Sequence, residues 1–313
     1  MKQLLRYTLF LIPLLALIVV LLFAGSEKND SIPVLPQEPH SFTIYNVSIP
    51  DTLAFAGEQV PLANFDVRES LDRELNVNVY WHSSTIFLIK RANRYFPVIE
   101  PILKKNNVPD DFKYLAVAES GLLNAVSPSD AAGYWQFLKA VAKENGLEVD
   151  LTVDERYHIE KSTEAACRFL TTAYNQFGSW AMAAAAYNAG KSGIAKYVTN
   201  QKQSNYYDLY MNEETARYVF RILAIKLILE NPAKYGFHID GKELYAPFEY
   251  TEVAVDSSIT SLADFAKQMG TNYKMLKIFN PWLRDFNLVN KHKKTYYIKI
   301  PKQGFRETMC LEK

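Results

Sequence analysis

The stretch of this chain whose residue types suit chemistry is KYLAVAESGLLNAVSPSDAAGYWQF, residues 113 to 137. Glu119 closes a predicted helix there, and the preceding turn offers Leu115, Ala116 and Val117, so its carboxyl emerges at a helix end beside apolar side chains. Withdrawing a carboxyl from water penalises its ionised form and raises its pKa. A carboxyl still protonated near neutrality is what a general acid needs, because it must give a proton to a leaving oxygen and afterwards take one back. Taken alone, a Glu at a helix end is more often a solvated surface charge. Two further stretches shift that balance. In AAAAYNAG, residues 183 to 190, a run of alanines permits close helix packing and ends in Tyr187 and Asn188, which supply hydrogen bonds. In ETARYVFRILAIKLIL, residues 214 to 229, Tyr218 shares one helical stripe with Ile222, Ile225 and Leu229, so its hydroxyl is carried inward and needs a partner.

Other chemistries find little support. Two cysteines, Cys167 and Cys310, make neither a disulfide framework nor a thiolate zinc site, and His40, His82, His158, His238 and His292 lack metal-ligand spacing. No metal or cofactor is expected. Lys plus Arg is 35 against 34 Asp plus Glu, a formal net charge of +1, which offers no field for a polyanion, so nucleic acid is not an expected partner. Gly190-Lys191-Ser192 resembles the end of a phosphate-binding loop, but Ala185 stands where the earlier glycine is required and the preceding segment reads as helix.

The elements that must position these residues are mainly helical. With 49% hydrophobic residues in 313, the chain can bury a core of one large or two moderate domains. Helical periodicity marks Asp66 to Leu75, Trp81 to Tyr95, Val98 to Asn106, Asp110 to Glu119, Ala131 to Asn145, Ser162 to Phe177, Ser179 to Tyr187 and Thr215 to Leu229. Asp110, Ser162 and Ser179 are read as N-caps, Gly178 as a break and Asn231-Pro232 as a stop. Residues 66–235 are therefore one helical domain. From residue 248 to 302 the texture changes: EYTEVAV alternates, LADFAKQM and YKMLKIFN are short amphipathic helices, and TYYIKIP alternates again, giving a strand-helix-helix-strand unit behind a linker at 236–247 and before a tail at 303–313. Cys167 shares a stripe with Leu170 and Tyr174 and reads as a small core hydrophobe.

At the N-terminus, residues 1–25 contain the aliphatic run Leu9 to Ala24, preceded by Lys2 and Arg6 and followed by Glu27 and Asp30. The run lies between the length of a signal-peptide core and that of a membrane span, and the charge bias places the rest of the chain outside the cytoplasm. An uncleaved membrane anchor is favoured over cleavage near Ala24-Gly25-Ser26. Residues 26–65, with prolines at 33, 36, 39, 50 and 61, read as a linker.

The ordered set Glu119-Ser120, Ala132-Gly133-Tyr134-Trp135-Gln136, Ala186-Tyr187-Asn188-Ala189-Gly190 and Glu214-Thr215 with Tyr218 resembles the soluble lytic transglycosylase family, with its goose-type lysozyme fold. The resemblance runs from about Asp66 to Tyr235. It implies a lysozyme-like helical catalytic domain and a substrate, the β-1,4 bond between N-acetylmuramic acid and N-acetylglucosamine in peptidoglycan glycan strands. It implies that Glu119 acts as the single general acid and base and leaves a 1,6-anhydromuramoyl end, and that Ser120, Gln136, Tyr187, Asn188 and Tyr218 bind substrate around it. A periplasmic location at the cell wall follows. Residues 249 to 301 resemble a LysM module, a small α+β (βααβ) glycan-binding unit, although Val255-Asp256 and NPWLRDFNLVNKHKK depart from its pattern; the unit either binds glycan or packs against the catalytic body. Trp282 suits a sugar platform or a packing role, and Lys291, Lys293 and Lys294 read as a solvated turn.

Two alternatives stand beside this reading. Glycosidases that use water employ two carboxyl groups, about 5 to 9.5 Å apart. Asp130, in the loop before Gly133, is the candidate partner for Glu119 in such a muramidase-type hydrolase, whereas Asp154 beside Arg156 reads as a structural ion pair. The second alternative is a non-catalytic peptidoglycan-binding protein.

Overall fold

The structure, a computed structural model, describes residues 45–306, so the apolar N-terminal run and Cys310 lie outside the described residues. From Asn46 onward the described chain belongs to one unit. It opens with a hairpin of β1 (Ala54–Phe55) and β2 (Glu58–Gln59), and helices follow as α1 (Phe65–Tyr80), α2 (His82–Lys105), α3 (Phe112–Ser120), α4 (Lys139–Glu144), α5 (Ile159–Phe177), α6 (Trp180–Ala189), α7 (Lys191–Gln201) and α8 (Glu213–Glu230). The C-terminal unit is β3 (Tyr250–Val255), α9 (Leu262–Gln268), α10 (Tyr273–Phe279) and β4 (Tyr296–Pro301), with β3 and β4 antiparallel from Tyr250 opposite Pro301 to Val255 opposite Tyr296. Among the described residues no helix is long and apolar enough to cross a membrane.

The core explains the positions of α3 and α6. In α3, Phe112, Tyr114, Leu115, Ala116 and Val117 are all buried, and in α6 every residue from Ala181 to Ala186 is buried. Helices that are apolar all round belong inside, and the small alanine side chains let neighbours approach closely. Gly121, at φ +59°, ends α3, and its N–H returns to the Val117 carbonyl at 2.8 Å. Ser179 caps α6 by accepting from the Met182 N–H, and Asn212 caps α8 by accepting from Thr215.

Several elements differ from the sequence expectations. The two helices expected on either side of Pro97 are one: Pro97 and Pro101 stand four residues apart on the exposed face of α2, and the helix continues through both. The helix expected over Ala131 to Asn145 shrinks to α4. Residues 126–137 form a loop with isolated antiparallel bridges (Val126 with Ala132, Ala132 with Phe137), and φ is positive at Asp130, Gly133 and Gln136, which no right-handed helix tolerates. Ser162 does not cap α5, which begins at Ile159; its hydroxyl donates back to the Ile159 carbonyl. Asp110 does not cap α3 either, since the preceding residue is Asp111, whose carboxylate is committed to the Ala56 N–H and Lys226. The helix α7 was not anticipated at all.

The segment 236–247 is strapped along α2. The Tyr245 N–H donates to the Lys90 carbonyl, Asn93 donates to the Tyr245 carbonyl, and Arg94 donates to the Ala246 carbonyl at 2.9 Å. Trp282 is 3% exposed and stacks on Tyr296, so it packs rather than offering a sugar platform. Lys294 is not simply solvated: it pairs with Glu148 and Glu155 of the helical body. Cys167 is a buried core residue, and burial pushes its thiol up to about 12.

Candidate active site

Glu119 occupies the last turn of α3, and the apolar residues that bury this helix also bring the carboxyl to the floor of a cleft of about 580 Å³. The loop 127–138 forms one wall of the cleft, Phe169 of α5 and Tyr187, Asn188 and Gly190 at the end of α6 form another, and Glu214 and Arg221 of α8 close it. The Glu119 pKa stands raised from 4.5 to about 7: burial is the largest cause and outweighs the hydrogen bond donated by the Tyr218 hydroxyl and the positive charge of Arg221, which lower it, while the negative charge of Glu214 adds to the rise. Near neutrality the carboxyl is therefore divided between acid and carboxylate. Burial beside Glu119 holds both the Tyr218 and Tyr187 phenols well above their ordinary pKa, so both stay hydrogen-bond donors.

The six residues singled out in the sequence play different local parts. Tyr218, 2% exposed on α8, is the phenol that meets Glu119 directly. Tyr187 lines the cleft, but its hydroxyl donates to the Trp135 carbonyl at 2.7 Å, tying α6 to the loop. Asn188 also lines the cleft: its Oδ1 accepts from the Thr215 hydroxyl at 2.9 Å and its Nδ2 donates to Glu214 at 3.2 Å, which fastens α6 to α8. Gln136, in the left-handed region at φ +48°, lines the opposite wall, with Nε2 donating to the carbonyls of Ala125 (3.0 Å) and Gly133 (2.8 Å). Ser120 is not among the cleft-lining residues; its hydroxyl donates to the Tyr134 carbonyl at 2.8 Å and so pins the loop to α3. Only one of the two phenols is thus hydrogen-bonded to the carboxyl.

Asp130 is exposed and does not line the cleft, and its main-chain carbonyl accepts from Arg156 Nη1 at 2.8 Å. Asp154 and Arg156 form a buried ion pair at 2.8 Å. The second carboxylate among the cleft-lining residues is Glu214. Glu214 and Arg221 are the two charged side chains that residue-by-residue reasoning passed over as site members. The signal was available: they stand four residues before and three after Tyr218, on one face of one helix. No group of three or more His, Cys, Asp or Glu side chains able to hold a metal ion occurs among the described residues. Chemically, the cleft offers one carboxyl poised between its two protonation states, a phenol that orients it, and amide, hydroxyl and charged groups on the walls.

Comparison with known proteins fits this geometry. Residues 96–210 match the Transglycosylase SLT domain, and residues 251–304 match the Soluble lytic transglycosylase C-terminal LysM-like domain. The chain is 28% identical over 262 residues, 81% of its length, to membrane-bound lytic murein transglycosylase D of Escherichia coli strain K12, and equally to the protein of that name from Escherichia coli O6:H1. The alignment covers 56% of these relatives, so the chain spans little more than half their length. The first domain match takes in Glu119, Gln136, Tyr187 and Asn188 but ends before Tyr218.

Proposed function

We propose that this chain, which carries a transglycosylase SLT domain in a lysozyme-like, mainly helical body and a LysM-like domain behind it, is a lytic transglycosylase acting on peptidoglycan glycan strands. The observation that carries the reading is the Glu119 carboxyl, raised to about 7 by burial and hydrogen-bonded by Tyr218 at the floor of a cleft. In its protonated form Glu119 hands its proton to the glycosidic oxygen between N-acetylmuramic acid and N-acetylglucosamine. As the C1–O bond breaks, an oxocarbenium-like centre develops, assisted by the sugar's own acetamido group. The Glu119 carboxylate then takes the proton of the C6 hydroxyl, whose oxygen closes on C1. One glycosidic bond is lost, one 1,6-anhydro bond is gained, and no water enters.

The roles of the neighbours follow from their contacts. Tyr218 fixes the carboxyl and stabilises its ionised form by donation. Gln136, Asn188 and Tyr187 line the walls that receive the sugar, and Ser120 acts on substrate through the loop it pins. The apolar run Leu9 to Ala24 and the name of the relatives support a cell-envelope location, with the N-terminal segment as anchor and the catalytic body on the periplasmic side. For a two-carboxylate hydrolase, Glu214, which lines the cleft with Glu119, is better placed than Asp130, which is exposed and outside the cleft lining. Purified sacculi incubated with the chain and with Glu119→Gln test the proposal: the wild type is expected to clear the suspension, and the variant to lose at least about two orders of magnitude in rate. Full lysis by Glu119→Gln would falsify the assignment of the acid, and no lysis by the wild type would favour a protein that only binds the wall.

A further inference from the structure

The loop that carries Gln136 bends through positive φ at Asp130 (+62°), Gly133 (+80°) and Gln136 (+48°). Such conformations persist only where the surroundings over-determine them. Here Arg156 does so. Its Nη1 donates to the carbonyls of Asp130 at 2.8 Å and Phe137 at 3.1 Å, clamping both ends of the bend, and its own carbonyl oxygen lies 1.9 Å from where a Cβ on Gly133 would stand. The guanidinium is itself fixed by Asp154, through Nε at 3.0 Å and Nη2 at 2.8 Å, with both side chains buried.

The C-terminal unit holds this clamp from behind. The Asp154 N–H donates to the Trp282 carbonyl at 2.9 Å, Val153 bridges Leu283, and the Arg284 N–H donates to the Thr152 carbonyl at 2.8 Å. The Arg284 guanidinium lies 3.9 Å over the ring of Tyr157, and Lys294 pairs with Glu148 at 2.5 Å and Glu155 at 3.1 Å. Ala132, Val153 and Tyr157 share an apolar cluster with Leu276, Trp282 and Leu283 of the unit.

We propose that the LysM-like unit is a positioning element of the active site: through Trp282, Asp154 and Arg156 it fixes the loop that carries Gln136, and so sets the rate of turnover. A tether for polymer, by contrast, would act on apparent affinity for the wall and leave short substrates untouched. The rate consequence rests on the reading of the Glu119 cleft as the reacting site, whereas the loop's dependence on the unit does not.

The test uses the full chain and two changes. Arg284→Ala/Lys294→Ala removes two exposed side chains of the unit that lie outside the cleft and its loop. Arg156→Lys keeps a charge opposite Asp154 but lacks the planar fork whose Nε and Nη2 hold Asp154 while Nη1 reaches both carbonyls. Amide hydrogen exchange is followed at Asp130, Ala132, Gly133 and Gln136, whose N–H groups bond within the loop region, with α6 amides as the internal control. In both variants exchange at these four amides is expected to accelerate about tenfold or more while α6 is unchanged. On a short soluble peptidoglycan oligosaccharide, kcat is expected to fall about tenfold with KM within about twofold, and Lys294→Arg is expected to retain wild-type values. Unchanged loop exchange with unchanged kcat in the double variant would overturn the proposal, as would a rise in KM alone. If the wild type cleaves no glycan, the reading of the cleft fails instead, and the exchange comparison still decides the positioning role: acceleration supports it and no change refutes it.

Discussion

Burial, against the pull of Tyr218 and Arg221 and with the push of Glu214, holds the Glu119 carboxyl at about 7, so the two charged residues of α8 act on it with opposite sign. Two substitutions should therefore move the alkaline limb of the pH–rate profile in opposite directions. Arg221→Gln removes a cation that favours the carboxylate, so activity should persist to higher pH. Glu214→Gln removes a repelling charge, so it should fail at lower pH; each limb is read from kcat/KM on a soluble glycan. The same burial has a stability consequence. A carboxyl whose folded pKa lies above its unfolded value binds protons more tightly when folded, so the wild type loses stability as pH rises from 4.5 to about 7. Glu119→Gln cannot ionise, and its melting temperature is expected to exceed that of the wild type increasingly across that window; equal pH dependence of the two would contradict the burial. Glu119 was legible because its apolar neighbours are local in sequence. Arg221 and Glu214 share the helix face of Tyr218 and were legible from that spacing, but their opposite effects on Glu119 follow only from how α8 packs against α3.

At the scale of elements, the loop 126–137 is where local reasoning failed. Its alanines and Gln136 carry helical preference, yet Arg156, some twenty residues further on, dictates a bend. Gly133 is the position where this matters most, with φ at +80° and no space for a Cβ against the Arg156 carbonyl. Gly133→Ala should cost about 2 kcal/mol or more, seen as a lowered midpoint in urea, because both backbone strain and a main-chain clash oppose it. A midpoint within error of the wild type would remove the argument that the loop is over-determined. The long helix α2 shows the converse. The expected break fell at Pro97, but Pro97 and Pro101 both lie on one exposed face, and only the burial of Ala92, Ile99 and Leu103 on the other face reveals the continuity.

Across the described residues, the helical body and the C-terminal unit are joined by contacts that neither specifies alone. The order strand, helix, helix, strand in the C-terminal unit was readable from a change of period, and so was the helical body before it. Their junction was not, since Lys294 and Lys299 find Glu148, Glu155 and Glu160 from across the chain. Burial alone would raise the Glu160 pKa, yet His158 and Lys299 hold it down at about 2. A carboxylate depressed in the folded state contributes stability that is present above its unfolded value of 4.5 and lost as pH falls toward about 2. Lys299→Met should therefore flatten the decline of melting temperature over that acidic range, and an unaltered decline would show that the junction pair contributes nothing.

In the proposed reaction one carboxyl both gives and receives the proton while the sugar's own C6 oxygen takes the place of water. Sacculi digested by the full chain in water enriched in heavy oxygen, with the released muropeptides weighed by mass spectrometry, test it directly. The expected products carry 1,6-anhydro ends, lighter by one water than reducing ends and free of the heavy isotope. Reducing ends that have taken up heavy oxygen would contradict the account and assign the cleft to a hydrolase.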